Sequence, residues 1–154
     1  NREWSEEPFY TYLENFHYHK PLWAVVPDWV GDKTKTLELW EKHSPAVSSF
    51  DVPLAFAVQD GMEKKEVPQN AEIIFVGGST SWKWKTLNYW TANFNRVHVG
   101  RVNTYKLCMA ARKSGAESCD GTGWFRCPKR TNELERFLED QEGKEKQKEL
   151  FNEG

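Results

Sequence analysis

Five points along this 154-residue chain carry residue types able to do chemistry, and each ends a strand-like run. They are Asp28, Gln59-Asp60-Gly61, Gly77-Gly78-Ser79, Gly100-Arg101 and Asp120. A carboxylate accepts hydrogen bonds from ring N–H and amino donors, and a glutamine amide donates to a carbonyl oxygen. A glycine lets a ligand approach the backbone because it has no Cβ. Asp28, Gln59 and the Gly77-Gly78 backbone together therefore suit the polar edge of a purine-like base. Asp120, delivered into the glycine-bracketed turn Gly121-Thr122-Gly123, could act as a nucleophile. Each has a plainer role as well. Asp28 after Pro27 can cap a turn, Gln59-Asp60-Gly61 can be only a turn, and Gly77-Gly78 a tight connection. His98, inside a strand, reads as a packed residue.

The elements that must position these residues follow from periodicity. Trp4, Phe9, Tyr12, Leu13 and Phe16 recur at helical spacing, with Ser5 and Pro8 as a helix start. Leu22 to Val26, Leu54 to Val58 and Ile73 to Val76 are continuous apolar strands, as in a parallel sheet covered on both faces. An amphipathic helix is predicted from Asp32 to His43, stopped by Pro45, and a Trp-rich helix over 82–94. Residues 60–70 read as a loop or short helix. Val97 to Val102 is a strand broken by Gly100. Tyr105, Leu107, Cys108 and Ala111 mark the next helix, which Lys113-Ser114-Gly115 stops. A short strand then ends in Cys119-Asp120-Gly121-Thr122-Gly123. Alternating strands and helices predict a parallel α/β fold, and in such folds ligands sit beyond the carboxyl ends of the strands. Five strands are too few for a complete eight-stranded barrel. Residues 131–154 form a charged helix and tail, with Leu134, Phe137 and Leu138 as its docking face.

Composition narrows the class. With 38% hydrophobic and 29% charged residues, and no apolar run near membrane-helix length, the chain reads as a soluble, non-membrane domain. A net charge of −2 does not advertise a nucleic-acid binder, although local basic clusters can still act. Eight tryptophans suit either stacking or core and subunit contacts, so a homo-oligomer or partner subunit is open. Three cysteines without CxxC spacing predict neither a disulfide framework nor a metal site, and point to a reducing, cytoplasmic compartment. Cys108 falls on the apolar helix face as a core residue.

In their order, the segments AVVPD, FAVQDGM, IFVGGST, VHVGRVNTYKLCMAARKSGAES and CDGTG resemble the C-terminal half of the queuine/archaeosine tRNA-guanine transglycosylases. They are most similar to the deazapurine DNA transglycosylases of bacteria and phages. The resemblance covers residues 22 to 126. It implies a parallel (β/α) barrel of TIM type, of which residues 1–130 supply the C-terminal five strands. It implies a pentosyltransferase that replaces guanine in nucleic acid with a free 7-deazaguanine derivative, without a cofactor. Asp120 would attack the nucleotide C1′ and form a glycosyl-enzyme intermediate, as a carboxylate does in retaining glycosidases. Asp28 would bind the ring N–H and exocyclic amine, and Gln59 with the Gly78 N–H the base carbonyl, beside Gly77. The target base must leave its stack, at a cost of a few kcal/mol. Trp82, Trp84 and Trp124 could stack on bases. Lys83, Lys85, Arg101, Arg126, Lys129 and Arg130 would contact phosphates.

The chain also departs from the family. A D-S-G-G-F-Q-like segment carrying a second carboxylate, the acid/base, is absent, which the resemblance assigns to an N-terminal part outside this sequence or to a partner. The cysteine–histidine zinc cluster of the tRNA enzymes is absent too, which implies DNA rather than tRNA as the substrate. Asp60 stands where the family has glycine. Two other functions fit the same sequence: a non-catalytic nucleic-acid-binding accessory subunit, and another phosphate- or sugar-binding barrel enzyme using Gly77-Gly78-Ser79-Thr80 as an anion-binding turn.

Overall fold

The computed structural model describes the backbone of residues 5–18 and 20–152, and the side chains of 5–16 and 20–141. Trp4, expected on the first helix, and the end of the charged tail lie outside the described side chains. Two compact units divide the chain, Asn1–Val97 and His98–Gly154.

The first unit runs α1 (Glu6–Glu14), β1 (Ala24–Val25), α2 (Lys33–Ser48), β2 (Leu54–Val58), β3 (Ile73–Val76) and α3 (Thr80–Asn93). A 3-10 turn at Lys64–Glu66 replaces a helix between β2 and β3. β1 pairs parallel with β2, Ala24 opposite Leu54, and β2 pairs parallel with β3, Ala55 opposite Ile73. All five β2 residues are buried, which explains why its sequence LAFAV does not alternate. Phe56 of β2 meets Trp40 of α2 edge-to-face, ring centroids 5.2 Å apart, an arrangement favoured by the aromatic quadrupole. Trp90 of α3 is fully buried and contacts Trp82, Tyr89 and Phe94. Beyond β3, the Ile74 N–H donates to the Arg96 carbonyl at 2.9 Å.

The Asp32 carboxylate caps α2 by accepting from the Lys35 N–H at 3.0 Å. Pro45 does not stop that helix, contrary to the sequence expectation. α2 continues to Ser48 with Pro45 inside it. Proline forfeits its own N–H bond and its ring crowds the carbonyl of Glu41, a cost that the surrounding packing offsets. The turn that contains it is anchored by Val47, which is fully buried, and closed by the Ser49 N–H on the Ala46 carbonyl.

The second unit contains β4 (Val97–Val99, shared at the boundary), α4 (Tyr105–Lys113), β5 (Ser118–Cys119) and α5 (Pro128–Asn152). β4 and β5 pair parallel, His98 opposite Ser118 and Val99 opposite Cys119. β4 is shorter than the predicted Val97–Val102 strand. Arg101, at φ +60, turns the chain after Gly100. Thr104 caps α4 through the Leu107 N–H, and Gly115, at φ +84, ends it in the left-handed conformation that glycine adopts cheaply. α5 docks on α4 through one face: Glu133 accepts from the Tyr105 N–H, Phe137 packs edge-on to the Tyr105 ring, and Asp140 accepts from the Tyr105 hydroxyl. Leu134 and Phe137 are half-buried there, but Leu138, expected on the same face, is exposed. The described residues are thus α/β with five strands, and the pairings within each unit are parallel. No helix among the described residues is long and apolar enough to cross a membrane.

Candidate functional site

In the first unit, Asp28 and Gln59 come together. The Gln59 Nε2 donates to Asp28 Oδ2 at 2.7 Å, and Gln59 Oε1 accepts from the Gly31 N–H at 2.9 Å. Gln59 is 0% exposed, so leaving either end of its amide unpaired would be costly. These bonds fix which end of the amide is oxygen and which is nitrogen. Asp28 is half-buried. The result is a carboxylate and an amide held in register at the ends of neighbouring strands.

Gly77 and Gly78 adjoin this pair in different ways. The Gly77 N–H donates to the Val58 carbonyl at 3.2 Å, which ties that amide to the end of β2. A Cβ on Gly77 would stand 3.4 Å from Gln59 Nε2. Gly78 has φ +68, and a Cβ there would overlap the Asp60 carboxylate and lie 3.0 Å from the Trp82 ring. Only glycine satisfies both the backbone angle and the space.

Asp60 explains why that space is filled. Its carboxylate accepts from the Ser79 N–H and from the Ser79 hydroxyl, both at 2.6 Å. Burial pushes its carboxyl up, but the bonds from the Ser79 hydroxyl, the Ser79 amide and its own amide outweigh burial, and the group titrates below the usual carboxylate range. A carboxylate therefore already sits at the N-terminus of α3, where an anionic ligand would gain from the exposed amides and helix dipole. This weighs against Gly77-Gly78-Ser79-Thr80 as a phosphate-binding turn.

In the second unit, Asp120 lies just past β5 with its side chain 50% exposed. Its Oδ1 accepts from the Arg101 N–H at 3.1 Å and lies 3.2 Å from His98 Nε2. His98 Nδ1 is 2.8 Å from the Ser118 hydroxyl. A carboxylate can only accept, so Nε2 carries the proton toward Asp120, and in the neutral ring Nδ1 accepts from Ser118. Backbone bonds on both sides fix the Asp120 position: its N–H donates to the Val99 carbonyl and its carbonyl accepts from the Val102 N–H. Arg101 adopts a left-handed φ that costs a non-glycine residue about 1–2 kcal/mol, and its amide reaches Asp120 from that conformation. His98 is thus more than packing. It is the residue that the sequence reasoning passed over. A signal was present: Ser118 and Asp120 stand two apart and so share one face of their strand.

The expected phosphate contacts divide. Lys85 of the first unit and Arg101, Arg126, Lys129 and Arg130 of the second are exposed. Lys83 is 1% exposed, so it does not present its charge to a polymer backbone. It lies on the inward stripe of α3 with Leu87 and Trp90, at i, i+4 and i+7, and its ammonium stands 5.7 Å from the Trp84 ring. Of the tryptophans proposed for stacking, Trp82 and Trp84 are half-buried, whereas Trp124 is buried within the second unit and belongs to its core.

Among the described residues, no three His, Cys, Asp or Glu side chains form a metal-binding group. A separate cavity of about 620 Å³ between α1 and β1 is lined by Phe9, Tyr12, Phe16 and Trp23, and among the described residues its lining includes no carboxylate, imidazole, thiol or amine. The chain matches no protein-family model, no curated protein and no solved structure.

Proposed function

We propose that this chain belongs to a base-exchanging transglycosylase that replaces guanine in nucleic acid, DNA before tRNA, with a 7-deazaguanine-type base. The observation that carries the reading is the Asp28–Gln59 pair, a carboxylate and a buried amide locked in one orientation by two hydrogen bonds. In such a pair the half-buried Asp28 carboxylate is the acceptor for the donor-bearing edge of guanine, and the buried Gln59 amide holds it in place. Asp120 is the nucleophile in this reading. Its carboxylate oxygen bonds to C1′, the C1′–N9 bond breaks, and guanine leaves with the electron pair and takes a proton at N9. The N9 of the incoming base then gives up its proton, bonds to C1′ and expels the Asp120 carboxylate. His98 and the Arg101 amide are positioning groups, since both bond to Asp120 Oδ1. The exposed cations Lys85, Arg101, Arg126, Lys129 and Arg130 supply phosphate contacts. The succession of parallel strands and intervening helices is compatible with a portion of a TIM-type (β/α) barrel, which is the fold we infer for the complete enzyme.

The test is exchange of labelled guanine into DNA and tRNA side by side, using the full natural chain, as wild type and as Asp120→Asn. Incorporation into one polymer that disappears with Asp120→Asn is the expected result. Full exchange by Asp120→Asn removes the nucleophile assignment. Absence of exchange by folded wild type, with salt-dependent polymer binding retained, transfers the assignment to a non-catalytic accessory subunit.

A further inference from the structure

The strand that leads to Asp120 has a second face. Ser118 and Asp120 turn the same way and both meet His98. Cys119, between them, projects to the opposite side, as successive residues of a strand must. There it meets Cys108, from α4: the two residues line one cavity of about 190 Å³ with Arg112, Glu117 and Phe137. Both are free thiols, Cys108 buried and Cys119 exposed.

We propose that Cys108 and Cys119 form a reversible dithiol–disulfide site that a peroxide oxidises, tying β5 to α4. The Cys119 thiolate attacks one peroxide oxygen. The O–O bond breaks, a sulfenic acid forms on Cys119, and the departing hydroxide takes up the proton that Cys119 released and leaves as water. The Cys108 sulfur then attacks the Cys119 sulfur. The S–O bond breaks and a second water leaves with the Cys108 proton. In total two thiols and one peroxide give one disulfide and two waters, the sulfurs oxidised and the peroxide reduced.

The division of roles follows from the surroundings. The neighbouring Cys108 thiol lowers the Cys119 pKa to about 7, against burial and the nearby Asp120 charge. The Cys119 thiol, with burial, pushes Cys108 up. Cys119 is therefore the thiol that meets the oxidant and Cys108 the one that resolves it. The two sulfurs must close to about 2.05 Å for a disulfide. β5 is a two-residue strand with both side chains exposed, so little packing opposes that movement. Cys127, the third free thiol, lies beyond the 3-10 turn at Thr122–Arg126 and lines no part of this cavity.

The test uses the folded full chain exposed to graded hydrogen peroxide, then denatured and alkylated. Intact mass should show alkylation falling from three sites to one, with full recovery after dithiothreitol. Arg112, Lys113 and Arg126 let trypsin separate the three cysteines, so the oxidised protein should yield fragment 107–112 joined to fragment 114–126. Cys127→Ser should close like wild type, and Cys119→Ser should retain both remaining alkylation sites. A link through Cys127, or Cys119 passing to sulfinic acid with no joined fragment, overturns the proposal. Because the readout is thiol chemistry in the unaltered protein, it stands or falls separately from base exchange.

Discussion

Substituting Gly78 by alanine tests how the end of β3 is built. The new Cβ meets three obstacles: the Asp60 carboxylate, which it overlaps, the Trp82 ring at 3.0 Å and the Asp60 amide nitrogen at 3.2 Å. The backbone angle, φ +68, adds strain of about 1–2 kcal/mol for any residue with a Cβ. The carboxylate is the most mobile of the three obstacles and must move, losing its bonds to the Ser79 N–H and hydroxyl. Hydrogen bonds to a charged group are worth about 1.5–3 kcal/mol when shielded, and Ser79 is exposed, so we take about 1–2 kcal/mol for the set. Gly78→Ala should then cost about 2–4 kcal/mol in urea unfolding followed by tryptophan fluorescence. Asp60→Ala alone should cost about 1–2 kcal/mol. The double variant should cost less than the sum, with a coupling of about 1–2 kcal/mol, because the Asp60 bonds can be lost only once. Additivity within about 0.5 kcal/mol would refute the claim that the two residues contend for one space.

Three further outcomes follow from other contacts. His43, buried and bonded through Nδ1 to the Tyr10 hydroxyl, has its pKa lowered by burial and by Lys42, against the opposing Glu6. The fold thus favours neutral His43, so stability should be lost as pH falls below the unfolded value of about 6.5 and level off below the folded pKa. The slope can reach about 1.4 kcal/mol per pH unit, and equal slopes in wild type and His43→Gln between pH 7.5 and 5 would exclude His43 as the source. Trp90→Ala, emptying the centre of the aromatic cluster in the first unit, should cost about 3–5 kcal/mol in the same urea assay. His98→Ala should slow base exchange by about 10- to 100-fold with KM little changed, the loss of one hydrogen bond to a carboxylate, and His98→Gln should restore part of it by donating from its amide. An effect on KM alone would make His98 a binding rather than a positioning residue.

Much of the strand framework was legible because these strands are buried on both faces. Leu54–Val58 and Ile73–Val76 appear with the boundaries that their apolar runs predict, and Gly115 ends α4 where glycine was expected to. The errors share a cause, which is that a one-dimensional pattern does not weigh competing contacts. Pro45 looked like a stop because its missing N–H is visible in the sequence, whereas the burial of Val47 that carries the helix past it is not. Lys83 looked like a surface charge because of its type. Its spacing to Leu87 and Trp90 placed it on the inward face all along, and periodicity deserved more weight than charge there. Asp60 looked like a defect in a base pocket because glycine was expected at its position. The structure makes it the partner that the Gly78 backbone and the Ser79 donors require.

The candidate residues could be named singly from the sequence, but not their pairings. Asp120 could be picked out by its place after a strand, but its bonds to His98 and Arg101 depend on a register that sequence spacing does not specify. Once His98 is set opposite Ser118, the period of two in a strand decides the rest. Ser118 and Asp120 must face the imidazole, and Cys119 must face α4 and the Cys108 thiol. A one-residue slip in that pairing would reverse both faces together, placing the thiol against the imidazole and the carboxylate against Cys108. The proposed carboxylate chemistry and the proposed thiol chemistry of this short strand therefore rest on the same register. A substitution that shifts it should impair both, whereas Cys127→Ser, outside the strand, should spare both.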